Sequence, residues 1–281
     1  MEQQGGLMEM GLNPLQIFHP INPVRQWRLY RNEREMRSFL RAAVHNREKA
    51  MKSSSKQFIV DAVLGAREED LSPATGRQDL LSNEAYLHGV VQNLKIVLFA
   101  GHDTTATTIC RCFHLLEQHP DSMARLRAEH DAVLGPNPAE AAATLRSRPH
   151  LLNALPYTTA VIKEVLRLHP PGMSLREGRR GHDLHKPGYP PLPTAGFVLW
   201  DAMQGSQRNP EFWRRPAEYL PERFTAAEGD PLHPRRNAWR AFAHPPRSCI
   251  GQDLAMTEMK LVLVLVCRRY ELRVAWDEWD R

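Results

Sequence analysis

The sequence predicts a mainly α fold with a small β component. Three observations carry that prediction. Helical periodicity runs through residues 24–52, 83–118 and 158–168, and an apolar helical run from Leu254 to Tyr270 follows near the C-terminus. Thirteen of the 22 prolines fall between residues 170 and 246, which excludes long helices there and leaves turns and short strands. Within that segment Gly196-Phe-Val-Leu-Trp200 is the best strand candidate, since branched and aromatic residues suit a pleated surface.

The elements follow in order. Val24 to Met51 is helical and densely charged, and Gln57 to Ala66 reads as a second helix. Residues 67–82 are polar and contain Pro73 and Gly76, so they read as a loop. A long helix spans about Asn83 to Gln118 and is closed by His119-Pro120. Asp121 is a good N-cap type for the next helix, which reaches about Val133. Gly135-Pro-Asn-Pro138 breaks the chain, and a short helix covers Ala139 to Ser147. Thr158 to Leu168 is strongly helical and is stopped by Pro170-Pro171. Without internal repeats or low-complexity tracts, the 281 residues read as one mixed domain.

Composition narrows the function classes. The mean hydropathy is −0.48 and no apolar run approaches about 18 residues, which argues against a membrane span. The start, Met1-Glu-Gln-Gln-Gly-Gly, has the marks of no signal peptide. Four cysteines do not make a disulfide framework, so reducing conditions are expected. Cys110 and Cys112 point to different faces of a helix and read as core or boundary residues. The net charge of +5 comes from scattered arginine pairs, with no basic stripe among aromatics and no nucleic-acid motif. These arginines read first as solvated surface charge, and the sharper reading is an acidic protein partner docking near Arg235, Arg236 and Arg240. His182 and His185 lack further spaced ligands, and His244 reads as exposed rather than ligating.

Three short motifs carry chemistry. Phe242-Ala-His-Pro-Pro-Arg-Ser-Cys249-Ile-Gly251 puts one cysteine beside an arginine and ahead of a helix. Helix N-termini and nearby cations favour the ionised, metal-ligating form of a thiol. Ala100-Gly-His-Asp-Thr-Thr105 interrupts an apolar helix with weak helix formers, a conflict that tends to mark a strained or functional site and on its own reads as a helix bend with a hydroxyl-bonded core. There a threonine hydroxyl back-bonding to a carbonyl would open the helix locally, making a notch, with Asp103 offering a proton route. Glu164-Val-Leu-Arg167 sets opposite charges three apart in an apolar helix, so the pair is expected to be partly buried.

Together, in this order, these motifs resemble the cytochrome P450 family of haem-thiolate monooxygenases. The cysteine loop is similar to the family's Phe-x-x-Gly-x-Arg-x-Cys-x-Gly pattern, with Phe242, Arg247, Cys249 and Gly251 in place. Pro245 replaces the pattern's fixed glycine and cannot take a positive φ. The resemblance implies haem as cofactor, with Cys249 as the proximal iron ligand and Arg247 and Arg176 as partners of its propionates. It also implies that Thr104 and Asp103 deliver protons during dioxygen activation. Glu164, Arg167 and Arg223, the last within Pro221-Glu-Arg-Phe224, would form a structural clasp holding the cysteine loop.

By the same resemblance the reaction is insertion of one oxygen atom into a small apolar organic substrate. Electrons would come from an NADPH-dependent reductase docking on the basic face near the loop. Arg176-Glu-Gly and Gly196-Phe-Val-Leu-Trp200 resemble filamentous-fungal members that oxidise secondary metabolites. The resemblance covers nearly the whole chain but only the C-terminal half or so of the family's fold. The family's endoplasmic-reticulum anchor and much of its substrate pocket fall outside it, so a cytoplasmic or peripheral location is expected. Pro245 and the absent half also support a second reading, a truncated non-catalytic remnant that binds haem weakly or not at all. Isomerisation or dehydration at a haem-thiolate centre is a third, which the Asp103-Thr104 pair disfavours.

Overall fold

In the computed structural model, residues 23–51, 60–61 and 83–275 are described. The chain divides into two compact units, Met1–Phe99 and Ala100–Arg281. In the first, helix α1 spans Pro23–Met51 and helix α2, Glu84–Gln118, begins. Leu40 and Val44, four apart and so on one face of α1, pack against Tyr86, Leu87, Val90, Val91 and Leu94. Asn83 caps α2, its Oδ1 accepting from the N–H of Ala85 at 3.0 Å and of Tyr86 at 3.2 Å. The helix read over Gln57 to Ala66 lies outside the described residues except for Val60 and Asp61, which are helical. The loop read over 67–82 lies outside them altogether.

The second unit holds α3 (Pro120–Leu134), α4 (Ala141–Ser147), α5 (Pro156–Leu168), α6 (Met203–Ser206) and α7 (Gln252–Cys267). Strands β1 (Leu175–Glu177) and β2 (Val198–Trp200) pair antiparallel, with Arg176 opposite Leu199. Short 3₁₀ turns cover Pro138–Glu140, Pro149–Ala154 and Pro221–Phe224. Ten of the thirteen residues of α5 are buried, so it runs through the core rather than along its edge. Leu116 of α2, Leu126 of α3, Val161 and Ile162 of α5, and Met259 and Leu263 of α7 meet there. A helix enclosed on nearly every side carries its charged residues into the interior, and this decides the environment of Glu164 and Arg167.

The structure departs from the sequence reading in several places. His119, not Asp121, is the N-cap of α3, with Pro120 in the first turn and no side-chain cap bond. Proline needs no N–H partner there, and Asp121 instead sets its carboxylate against the helix dipole's positive end. Helix α7 stops at Cys267 rather than Tyr270 because Arg127 of α3 takes up its end: Nε donates to the Cys267 carbonyl at 2.7 Å. Cys112 is buried but Cys110 is exposed, so the two thiols do point apart, yet only one reaches the core. The strand begins at Val198, preceded by Gly196 at φ 83°.

Gly178 is where the two-stranded ribbon closes most tightly. Its N–H donates to the Phe197 carbonyl at 2.9 Å, and a Cβ on it would lie 1.8 Å from the Thr194 carbonyl oxygen. Main chain must move to admit even one methyl, so Gly178→Ala is expected to cost roughly 1–3 kcal/mol. Urea unfolding of the purified chain measures this. An unchanged midpoint would mean that the ribbon opens without cost.

Candidate functional site

The end of α5 is fastened to the proline-rich segment by charge. Glu164, Arg167 and Arg223 are all fully buried, more deeply than the partial burial expected from sequence. Glu164 Oε2 accepts from Arg167 Nε at 2.7 Å, and Oε1 accepts from Arg167 Nη2 at 2.8 Å, Arg223 Nε at 3.2 Å and the Leu220 N–H at 2.9 Å. Arg167 spends its remaining donors on the carbonyls of Gln207, Pro216 and Glu218 at 2.7–3.0 Å. All five of its N–H groups are thereby satisfied, which a buried guanidinium requires. Arg223 donates onward to the carbonyls of Arg214 and Arg215. Burial, and then the Arg167 charge, pull the Arg223 pKa below its ordinary range, while Glu164 opposes them.

The cysteine loop hangs from this scaffold. Trp239 donates from Nε1 to the Lys163 carbonyl of α5 at 3.0 Å, and its ring meets Phe242 edge-on at 5.8 Å and Phe224 at 6.1 Å. The loop folds back on itself, the Cys249 N–H donating to the Phe242 carbonyl at 2.9 Å. The Pro245–Pro246 peptide bond is cis. The left-handed position falls on Ala243, at φ 56°, two residues before the proline that replaces the expected glycine. A non-glycine residue there costs about 1–2 kcal/mol. Gly251 is the N-cap of α7, and a Cβ on it would lie 4.0 Å from Cys249 Sγ, so the thiol sits beside that helix's N-terminus.

Thr104, Thr105 and Thr108 of α2 face Phe242, Arg247 and Cys249 across one cleft, floored by Leu166, Met203 and Met259. The threonines do bond back, Thr104 Oγ1 to the Ala100 carbonyl and Thr108 Oγ1 to the Thr104 carbonyl, both at 2.8 Å. Contrary to expectation the helix is not opened, because each hydroxyl joins an i−4 carbonyl without displacing the helical ladder, and α2 runs unbroken from Glu84 to Gln118. Asp103 does not line the cleft, and its carboxylate pairs with His102 Nδ1 at 2.8 Å. Arg176 lies exposed on β1, where Nη1 donates to the Leu175 carbonyl, and it does not line the cleft that holds Cys249. His244 is half-buried, bonded through Nε2 to the Asn237 carbonyl at 3.3 Å. Sequence patterns gave no sign of Gln207, a fully buried polar residue against Arg167.

These walls suit a haem by their chemistry. A soft thiol, one arginine able to pair with a carboxylate, and otherwise apolar or hydroxyl-bearing surfaces meet in the cleft. Cys112 and Cys267 do not compete as ligands, since both are buried and burial pushes their thiols up, Cys267 to about 12. His182 and His185 belong to no cluster of three metal-ligating side chains among the described residues.

Comparison with known proteins points the same way. The sequence profile of the family described as Cytochrome P450 matches residues 7–279. The chain is 35% identical over 270 residues to cytochrome P450 monooxygenase polC of Polytolypa hystricis, covering 95% of this chain and 48% of that protein. It is 33% identical to cytochrome P450 monooxygenase acrF of Aspergillus aculeatus, over 93% of this chain and 55% of the relative. Cytochrome P450 4d8 of Drosophila melanogaster is 30% identical, over 91% and 54%. The chain therefore spans about half the length of the curated relatives it matches. No described helix is long and apolar enough to cross a membrane. A profile that matches almost from end to end, on a mainly helical fold whose described residues include a two-stranded sheet, settles the family: this chain belongs to the cytochrome P450 haem-thiolate proteins.

Proposed function

We propose that this chain is the cysteine-bearing part of a monooxygenase that inserts one oxygen atom from dioxygen into a small apolar organic substrate. One observation carries the reading: threonines of α2 and the Cys249 loop line the same cleft. Bound haem supplies the oxidation chemistry. Cys249 is its thiolate ligand, Phe242 and Gly251 frame that thiolate, and Arg247 holds a propionate. Arg176 is a second propionate partner only if its guanidinium leaves the Leu175 carbonyl. For Thr104 to donate a proton into the cleft, its hydroxyl must rotate away from the Ala100 carbonyl. Asp103, partly exposed and paired with the well-exposed His102, relays protons from solvent to that hydroxyl. The Glu164–Arg167–Arg223 clasp keeps the loop in register with α5.

Residues 1–281 are read as one partial family domain, which the profile match across both compact units supports. A role in secondary metabolism rests on the resemblance of Arg176-Glu-Gly and Gly196-Phe-Val-Leu-Trp200 to fungal members, and two of the relatives are fungal monooxygenases. Arg235 and Arg236, both exposed, and half-buried Arg240 suit docking of an NADPH-dependent reductase through an acidic face.

The test is the reduced, carbon-monoxide-bound absorption spectrum of the expressed chain supplied with haem. A strongly red-shifted Soret band, abolished in Cys249→Ala, is the expected result. A band typical of a neutral ligand, or no haem uptake at all, would favour the non-catalytic reading.

A further inference from the structure

Gln207 is polar and fully buried, just beyond the one-turn helix α6. Each polar atom of its side chain has a partner. The amide nitrogen donates to the carbonyls of Leu166 at 3.1 Å and Arg167 at 3.4 Å. Those carbonyls belong to the last turn of α5, where a helix leaves its acceptors without partners of its own. Gln207 Oε1 accepts from the Arg240 N–H at 2.9 Å. The amide's orientation is forced, since carbonyls only accept and a backbone N–H only donates. Its main-chain carbonyl accepts from Arg167 Nη1 at 2.9 Å, so the same residue also belongs to the charge clasp.

From Arg240 the hydrogen bonds lead straight to the cysteine. The Arg240 carbonyl accepts from the Ala243 N–H at 2.8 Å, and the Phe242 carbonyl accepts from the Cys249 N–H at 2.9 Å. Ala243 is the strained residue of the loop, at φ 56°, and a strained position persists only where its surroundings over-determine it. The turn from Arg240 to Ala243 imposes that conformation, and Gln207 pins the start of the turn to α5. Only this side chain has the length and the paired donor and acceptor for the task. Asparagine is one methylene short, and glutamate has no donor for the two helix carbonyls.

We propose that Gln207 is a positioning residue that fixes the backbone path from Arg240 to Cys249 and thereby holds the cysteine sulfur facing the haem; this rests on the haem-thiolate reading above. The test compares two variants of the full chain. Gln207→Met keeps the volume and removes every side-chain hydrogen bond. Leu145→Ala, in the separate cluster around Leu134 and Leu152, lowers stability without touching the loop. Amide exchange over residues 240–251 is measured without haem, and the reduced carbon-monoxide spectrum with it.

Gln207→Met is expected to speed exchange in that segment roughly tenfold, the scale of one lost buried hydrogen bond. It is also expected to move most of the spectrum from the thiolate position to the neutral-ligand position. Leu145→Ala should do neither, however far it lowers the melting point. Equal exchange in the two variants would overturn the proposal. If the wild type itself gives no thiolate band, the haem-thiolate reading fails, and the exchange comparison alone decides whether Gln207 positions the loop.

Discussion

Glu164→Ala is expected to destabilise the chain by about 3–5 kcal/mol, enough to leave much of it unfolded at ambient temperature. The magnitude comes from what stays behind. Arg167 and Arg223 are fully buried, and Glu164 is the one carboxylate among their partners. Removing it strands two guanidinium charges, and it also frees the Leu220 N–H that Oε1 accepts at 2.9 Å. Main-chain carbonyls offset part of the charge but supply no countercharge. The exposed pairs give the contrast. Arg215 with Glu218, and Arg125 with Glu222, each leave both side chains more than two-fifths exposed, and such pairs contribute at most about 1 kcal/mol.

Denaturant unfolding distinguishes the cases, and a graded series guards against a variant too unstable to purify. Glu164→Gln keeps one acceptor for the Leu220 N–H but turns an amide N–H toward arginine donors. It is expected to fall between wild type and Glu164→Ala. Glu222→Ala, which removes an exposed partner of Arg125, should stay within about 1 kcal/mol of wild type. If Glu164→Ala also stays within that range, the clasp contributes no more than a surface ion pair. The idea that it anchors the loop would then be wrong.

What the sequence made legible follows from how local each signal is. The cysteine loop, the threonine motif and Glu164-Val-Leu-Arg167 each lie within a ten-residue stretch, so residue type and spacing reveal them. Helices show for the same reason, their partners being three or four residues away. Gln207 gave no signal because its partners lie 33 and 41 residues off, and one glutamine has no period. The left-handed residue was not legible, because Ala243 carries no mark of positive φ, which is forced on it from outside. Asp103 and Arg176 were placed by pattern alone. Their side chains turn instead to near neighbours, His102 and the Leu175 carbonyl, that a motif does not encode.

The second large effect is acid sensitivity, and it too arises from a contact that spacing does not reveal. His130 of α3 is fully buried. Thr158 Oγ1 uses its proton on Glu129 Oε2 at 2.6 Å, so at 2.8 Å it accepts from His130 Nε2–H. Its Nδ1 is enclosed with no partner among the described residues, which favours the neutral ring with the proton on Nε2. Protonating Nδ1 would bury a charge and leave its N–H unsatisfied. Burial, and then the Arg268 guanidinium, lower the His130 pKa from 6.5 to about 4, with Asp131 opposing.

A folded-state pKa below the unfolded one means the unfolded chain takes up the proton first. The stability that neutral His130 contributes is therefore complete above about pH 6.5 and is lost as pH falls toward 4. At about 1.4 kcal/mol per unit, the loss is about 3 kcal/mol. His169 adds to it, since burial and then Arg111 lower its pKa to about 4 as well. His130→Gln separates the two, because its amide nitrogen can still donate to Thr158 and does not titrate. Unfolding free energy measured from pH 7.5 to 4.5 should fall more steeply for wild type than for His130→Gln. Relative to His130→Gln, wild type should lose up to about 3 kcal/mol more as the pH drops. Parallel curves would mean that His130 already has a proton-accepting partner or reaches solvent in the folded chain, and the acid sensitivity would then belong to other groups.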